Sequence, residues 1–220
     1  EGPLAVISRR LIKDGELLAP INGIEIVNSK NNTLSLRSKN LTTLSALYSV
    51  SEVVLKDKHL SSKRLPSEED LDEAFKTVSN FWSVLLDRVD VYKEYINLTR
   101  YNKPVSTLRE ENLLFKPVTQ MALAHVALIA SRKDISWEEI CDRLNRVDWR
   151  FENETWFNIL VMGSANKKMI TGKESIRGAG MVIAYIVMGD VMTPSEKADV
   201  TQLVQNARNS ENAEMPTMVI

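Results

Sequence analysis

Apolar residues recur along most of this chain at intervals of three, four and seven, the spacing of one face of an α-helix. Leu44, Leu47, Tyr48, Val54 and Leu55 make one such stripe, and Leu71, Phe75, Val78, Trp82, Leu85 and Val89 make a second. Met121, Leu123, Val126 and Ile129 follow Lys116-Pro117; Ile140, Leu144 and Val147 follow Ser136. The predicted starts are punctuated by caps: Ser67 ahead of Asp70, Ser136 ahead of Glu139 and Thr171 ahead of Glu174. Thr193-Pro194-Ser195-Glu196 adds a proline at the first helical position. The apolar body from Met181 to Met188 stops at Gly189. Strand-like alternation is confined to Ile21–Val27 and Thr33–Arg37, which predicts a small extended pair or β-hairpin near the N-terminus. With 8 glycines and 7 prolines among 220 residues, an all-β chain of many tight turns is excluded. The expected fold is mainly α, a multi-helix domain over residues 41–208, with an extended element over 1–40 and a flexible polar tail over 209–220.

Composition narrows the chemistry. Lys and Arg total 28 against 29 for Asp and Glu, a net charge of −1, which excludes a uniformly basic nucleic-acid binder and an acidic disordered chain. A single cysteine, Cys141, excludes an internal disulfide framework and a multi-cysteine zinc site. With His59 and His125 as the two histidines, no metal centre is assigned, and no cofactor either. The longest apolar run, Met181–Met188, is far short of the roughly 18 residues of a membrane span. Nothing resembles a signal peptide, so a soluble, cytoplasmic protein without membrane contact is expected. Because the sequence opens on Glu1 and runs directly into Leu4-Ala5-Val6-Ile7, it reads as a piece of a longer chain.

The near-neutral total hides segregation. Residues 28–40 hold Lys30, Arg37 and Lys39 and no acid; residues 163–177 hold Lys167, Lys168, Lys173 and Arg177 against Glu174. Residues 91–117 carry Lys93, Arg100, Lys103, Arg109 and Lys116 against three glutamates, whereas residues 67–90 carry seven acids against Lys76 and Arg88. The basic stretches fall in predicted loops or helix starts and are mixed with Ser, Thr and Asn. Cationic heads, hydroxyl or amide donors and free backbone N–H groups are what a phosphate ligand needs. Solvated surface loops have the same composition. On the phosphate reading, the contacts are Lys30, Arg37, Ser38, Lys39, Lys103, Lys167, Lys168 and Lys173, with the 28–40 and 163–173 connectors expected to converge on one face. If six or so phosphates were neutralised, affinity would fall about three decades or more between low and moderate salt.

Other motifs dissolve on inspection. Gly163 and Gly172 stand too far apart for a phosphate-cradling loop, and Gly172-Lys173 is followed by Glu174 where a hydroxyl is required. Gly178-Ala179-Gly180 lies inside an apolar helix, where close helix packing accounts for it. Glu139 stands four residues before Arg143 and Asp142 four before Arg146, so surface helix pairs explain the carboxylates. His125 and Cys141 read as packed core residues. Trp137, Trp149 and Trp156, with Phe151 and Phe157, would stack on bases or, as the stronger reading, knit helices together.

Two stretches together resemble the DndB proteins of bacterial DNA phosphorothioation systems, also known by their Asp-Gly-Gln-His-Arg motif. The first is Leu34-Ser35-Leu36-Arg37-Ser38-Lys39-Asn40-Leu41-Thr42-Thr43-Leu44-Ser45-Ala46-Leu47-Tyr48. The second is Val147-Asp148-Trp149, then Trp156, and finally Met192-Thr193-Pro194-Ser195-Glu196. The likeness runs from about residue 33 to about 200. The Asp-Gly-Gln-His-Arg motif itself is absent, so the chain looks like the family's C-terminal helical part, and Lys167-Lys168-Met169 replaces a more amide-rich run. The resemblance implies a DNA-binding regulatory or accessory protein of a DNA sulfur-modification system, a transcriptional repressor of its own operon. Its partners would be duplex DNA, other DNA-modification proteins and further copies of the chain. Arg37, Ser38, Thr43 and Tyr48 lie in the shared motif; Arg37 and Lys39 are assigned to phosphate, and Asp148, Trp149 and Trp156 to structure. Two other classes stand beside this reading. One is a protein-interaction scaffold using the acidic helix and the methionine-bearing tail; the other is a fragment of a nucleotide-hydrolysing enzyme whose catalytic residues lie outside this sequence.

Overall fold

A computed structural model describes residues 2–13, 18, 25–58, 66–163 and 168–219. His59, Lys167 and the Ile21–Ile24 part of the expected strand lie outside the described residues. The described chain is mainly helical and divides into two compact units. The first holds Glu1–Glu110 with Phe115–Pro117, the second Glu111–Leu114 with Val118–Ile220. The positions 40 and 208, where sequence suggested boundaries, fall inside these units.

In the first unit, α1 (Pro3–Lys13), α2 (Leu44–Val54) and α3 (Glu68–Arg88) pack on one another, and α4 (Asp90–Arg100) packs on α3. Sequence patterning did not anticipate α1. Its Ile7 and Leu11 are buried, while Arg10 lies 4.4 Å over the ring of Phe75 and donates to Asp72 at 2.7 Å. The Ser67 cap of α3 forms as expected. Its hydroxyl accepts from the Asp70 N–H, and the Asp70 carboxylate accepts from the Ser67 hydroxyl at 2.7 Å and the Ser67 N–H, which in that order hold the carboxyl below its ordinary pKa. The α2 stripe is a correction. Leu44 and Tyr48 face solvent, and the buried side is Ala46, Leu47, Val50 and Ser51. Helical spacing joined two apolar positions to the wrong face, because the stripe rotates away from the core at the N-terminal turn. Residues 90–100, to which no apolar stripe was assigned, are helical with Tyr92, Tyr95 and Thr99 buried.

The small extended pair expected near the N-terminus is present, with different bounds and direction. Val27 pairs with Thr42 and Asn28 with Thr43 in parallel, so β1 (Val27–Asn28) and β2 (Thr42–Thr43) do not form a hairpin. Parallel strands need a long crossover, which residues 29–41 supply. Thr33–Arg37 is not a strand: a tight turn closes there, with the Ser38 N–H donating to the Ser35 carbonyl at 3.0 Å.

In the second unit, α6 (Pro117–Ser131) is apolar on nearly every side and largely buried, as a central helix must be. A Cβ built on Gly180 of α8 (Lys173–Met188) would sit 2.7 Å from the His125 Cβ and 2.8 Å from the Ala122 carbonyl oxygen. Close helix approach therefore explains Gly180, as its sequence setting suggested. The predicted Thr171 cap does not form; α8 starts behind Gly172 at φ 124°, with no side-chain cap. By contrast α7 (Trp137–Leu144) has its Ser136 cap, and α9 (Pro194–Arg208) has Pro194 in its first turn behind a Thr193–Glu196 capping box. Lys133 completes that box at 2.8 Å from Glu196, drawing its carboxyl below the usual range. Over residues 213–219, Pro216 is buried and the Val219 N–H donates to the Ile186 carbonyl at 2.8 Å. Among the described residues no helix is long and apolar enough to cross a membrane.

Candidate nucleic-acid interface

The crossover of the first unit carries four of the candidate contacts. Lys30 and Arg37 are exposed, and neither has a charged partner among the described residues. Arg37 sits at the tip of the 35–38 turn beside Leu36, which is 45% exposed. Ser38 uses its hydroxyl internally. It donates to the Asn40 side-chain oxygen at 3.0 Å and accepts from the Asn40 N–H at 3.2 Å, so its role is to shape the turn. Asn40 in turn donates to the Glu25 carbonyl at 2.6 Å, and the Leu41 N–H to the Ile26 carbonyl at 2.7 Å. These bonds tie the C-terminal base of the crossover to the entrance of β1.

Lys39 is half-buried, and its ammonium donates to the side-chain oxygen of Asn102. That acceptor is a neutral amide, so the positive charge of Lys39 remains uncompensated. Asn102 adopts the left-handed conformation (φ 54°) that ends α4, with its N–H on the Thr99 carbonyl at 3.0 Å and the Lys103 N–H on Leu98 at 2.8 Å. The helix terminus thereby holds the head of Lys39 at Asn102, the residue before exposed Lys103. Tyr101, in the same terminus, is 66% exposed.

Beneath the turn lies a residue that the sequence reading left among ordinary basic positions. Arg109, in α5 (Ser106–Glu111), is only 1% exposed. Its Nε donates to the Ser38 carbonyl at 2.7 Å and its Nη1 to Phe115 at 3.4 Å, with the guanidinium 5.9 Å from the Phe115 ring. The Tyr95 hydroxyl donates to the Lys39 carbonyl at 2.8 Å. Desolvation pushes Arg109 down to about 10 and Tyr95 up to about 12, while the phenols of Tyr95 and Tyr92 act to keep the guanidinium charged. The signal was present in the spacing: Val105, Arg109 and Leu113 stand four apart and are all buried, so a cation occupies a core position.

In the second unit, Lys168 and Lys173 are exposed without charged partners among the described residues, and Arg177 pairs with Glu174 at 3.3 Å. The Met162 N–H donates to the Lys168 carbonyl and the Ile170 N–H to Leu160, both at 2.8 Å. This ladder hangs on a buried tryptophan pair. Trp149 and Trp156 stack with centroids 4.9 Å apart and planes 5° from parallel, and their ring N–H groups donate to the carbonyls of Leu144 and Asp148. The rings are core anchors and not surfaces for bases. Asp148 also grips Arg150 through both carboxylate oxygens, which holds its carboxyl below the ordinary value. Cys141 is buried, as expected of a small apolar residue.

A family model for DndB, described as DNA-sulfur modification-associated, matches residues 1–187. The match takes in both the Leu34–Tyr48 segment and the Val147–Trp156 segment, whereas Met192–Glu196 lies beyond its end. No curated protein and no solved structure matches the chain. The chain belongs to the DndB family and is part of a DNA sulfur-modification system.

Proposed function

We propose that this protein binds duplex DNA through the backbone phosphates and acts as a regulator of its modification system, repressing transcription where it binds. The observation that carries the reading is the first-unit cluster. Arg37 stands uncompensated at the tip of a turn whose base is tied down, and Lys39 is held by the neutral side chain of Asn102, the residue before exposed Lys103. Lys39, whose head is already held by Asn102, loses less side-chain freedom when a phosphate arrives, so its contact retains more of its charge-assisted hydrogen-bond energy. Lys30 extends the cluster along the crossover. Within the second unit, Lys168 and Lys173 are proposed as further phosphate contacts, as is Lys167, which lies outside the described residues. Ser38 is kept as a proposed contact, one that would exchange its hydroxyl bond to Asn40 for the phosphate.

Fluorescence anisotropy with labelled duplex across a salt series tests this. Each phosphate neutralised should contribute about −0.9 to the slope of log affinity against log salt. Combining Arg37→Ala with Lys39→Ala should weaken binding by about a hundredfold at low salt and flatten the slope by nearly 2, with little change in melting temperature. A salt-independent response in the unaltered protein removes the reading. Repression is tested separately by a reporter under the system's own promoter, which the same double substitution should release.

A protein-interaction role is favoured by a different observation. Leu44 and Tyr48, one turn apart on α2, are 37% and 43% exposed, an apolar face that binding of a modification partner would cover. Co-purification that survives nuclease treatment and is lost with Leu44→Ser and Tyr48→Ser would support it.

A further inference from the structure

The geometry points to Arg109 and Tyr95 as positioning residues that set the aim of the Arg37–Lys39 turn from beneath, without touching the ligand. This inference rests on the phosphate-binding reading above. Two consecutive carbonyls of the turn, Ser38 and Lys39, are each held by a buried donor from a different helix: Arg109 Nε at 2.7 Å and Tyr95 Oη at 2.8 Å. These two carbonyls flank the Lys39 α-carbon. Fixing both therefore fixes the backbone at Lys39, and with it the direction in which the Lys39 side chain leaves the turn, one residue beyond the 35–38 turn that carries Arg37.

Burying this arginine is expensive. Nη2 has no hydrogen-bond partner, and no carboxylate pairs with the guanidinium among the described residues. An apolar side chain of similar volume would fill α5 without that desolvation cost. What the arginine supplies instead is a planar, rigid fork that reaches the Ser38 and Phe115 carbonyls at once, which a leucine or a lysine does not. Asn102 acts on the same turn from the surface, binding the head of Lys39 while Tyr95 binds its main chain. The cationic tip thus rests on three distant positions of one unit.

Tyr95→Phe is the cleanest test, because it removes one hydroxyl and no charge. Amide exchange at Ser38, Asn40 and Leu41 should quicken about fivefold, and duplex affinity should fall three- to tenfold with an unchanged melting temperature. Arg109→Lys keeps the charge and loses the fork, so it should weaken binding about as much as Arg109→Met does. Unaltered exchange in Tyr95→Phe would overturn the inference, as would wild-type affinity in Arg109→Lys alongside a loss in Arg109→Met, since field and not position would then be at work. Should the unaltered protein show no duplex binding while Tyr95→Phe still loosens the turn, the phosphate reading fails and the clamp on the turn stands by itself.

Discussion

The two basic stretches are held in opposite ways. Around Lys168 the frame is local: Trp149, Trp156, Asn158 and Leu160 are sequence neighbours, and the Trp156 carbonyl alone accepts from the N–H groups of Ile159, Leu160 and Val161. Around Arg37 the frame is remote, since the donors that hold the turn come from Tyr95 and Arg109 in helices far along the chain. A local frame forms wherever its own segment forms. A remote frame forms only when the first unit has folded, so the turn's geometry reports on the whole unit.

The largest test of this contrast lies in the local frame. Trp156→Ala removes a fully buried ring, its stacking partner and its bond to Asp148, and should cost about 3–5 kcal/mol in denaturant unfolding. The exchange of Ser38 and Leu41 should not follow it, because nothing in their frame includes residue 156. If the first-unit turn loosens equally, the two frames are not independent.

Next in size is the helix contact beneath α8. Gly180→Ala drives a methyl group against the Ala122 carbonyl and should destabilise by about 1–3 kcal/mol. Gly178→Ala meets only the Leu203 side chain at 3.5 Å and should be neutral or stabilising by about 0.5–1 kcal/mol. Equal effects from the two would contradict the close approach assigned to Gly180.

The frames should also differ with pH. Asp148 is held below its ordinary value of 3.8, chiefly by its hydrogen bonds to Arg150. Its contribution is complete above that value and is lost as pH falls through the depressed one. Asp148→Asn should therefore flatten the acid-side fall in melting temperature, by a small amount because Asp148 is partly exposed. The turn's donors behave otherwise. Tyr95 and Arg109 change protonation only near 12 and 10, so exchange protection at Ser38, corrected for its intrinsic pH dependence, should stay constant from about pH 5 to 9. In alkali the two oppose each other. Raised Tyr95 makes the fold less stable as pH climbs past the unfolded phenol's value, while lowered Arg109 relieves the burial of its charge.

Much of the fold was legible because its signals are short-range. The caps at Ser67, Ser136 and Thr193 are set by residues three apart, and the buried tryptophan pair sits within one short segment of sequence. The basic stretches and the family segments were legible for the same reason. The misreadings have a common cause. Leu44 and Tyr48 match a helical stripe yet face outward, and Thr33–Arg37 alternates like a strand yet forms a turn. Periodicity records which residues share a face but not whether that face meets a partner.

By itself, then, the sequence determined the helical class, the main capped starts, the segregation of charge and the membership of a DNA sulfur-modification family. Tertiary structure alone decided that the early strands run parallel, that Lys39 bonds to Asn102, and that a buried Arg109 holds the carbonyl of Ser38, next in sequence to the exposed Arg37. The physical reason is the range of the forces involved. Helix propensity, capping and hydrophobic period act over a few residues, whereas the partner of a backbone carbonyl in a turn is chosen by whatever donor the folded chain brings within about 3 Å of it.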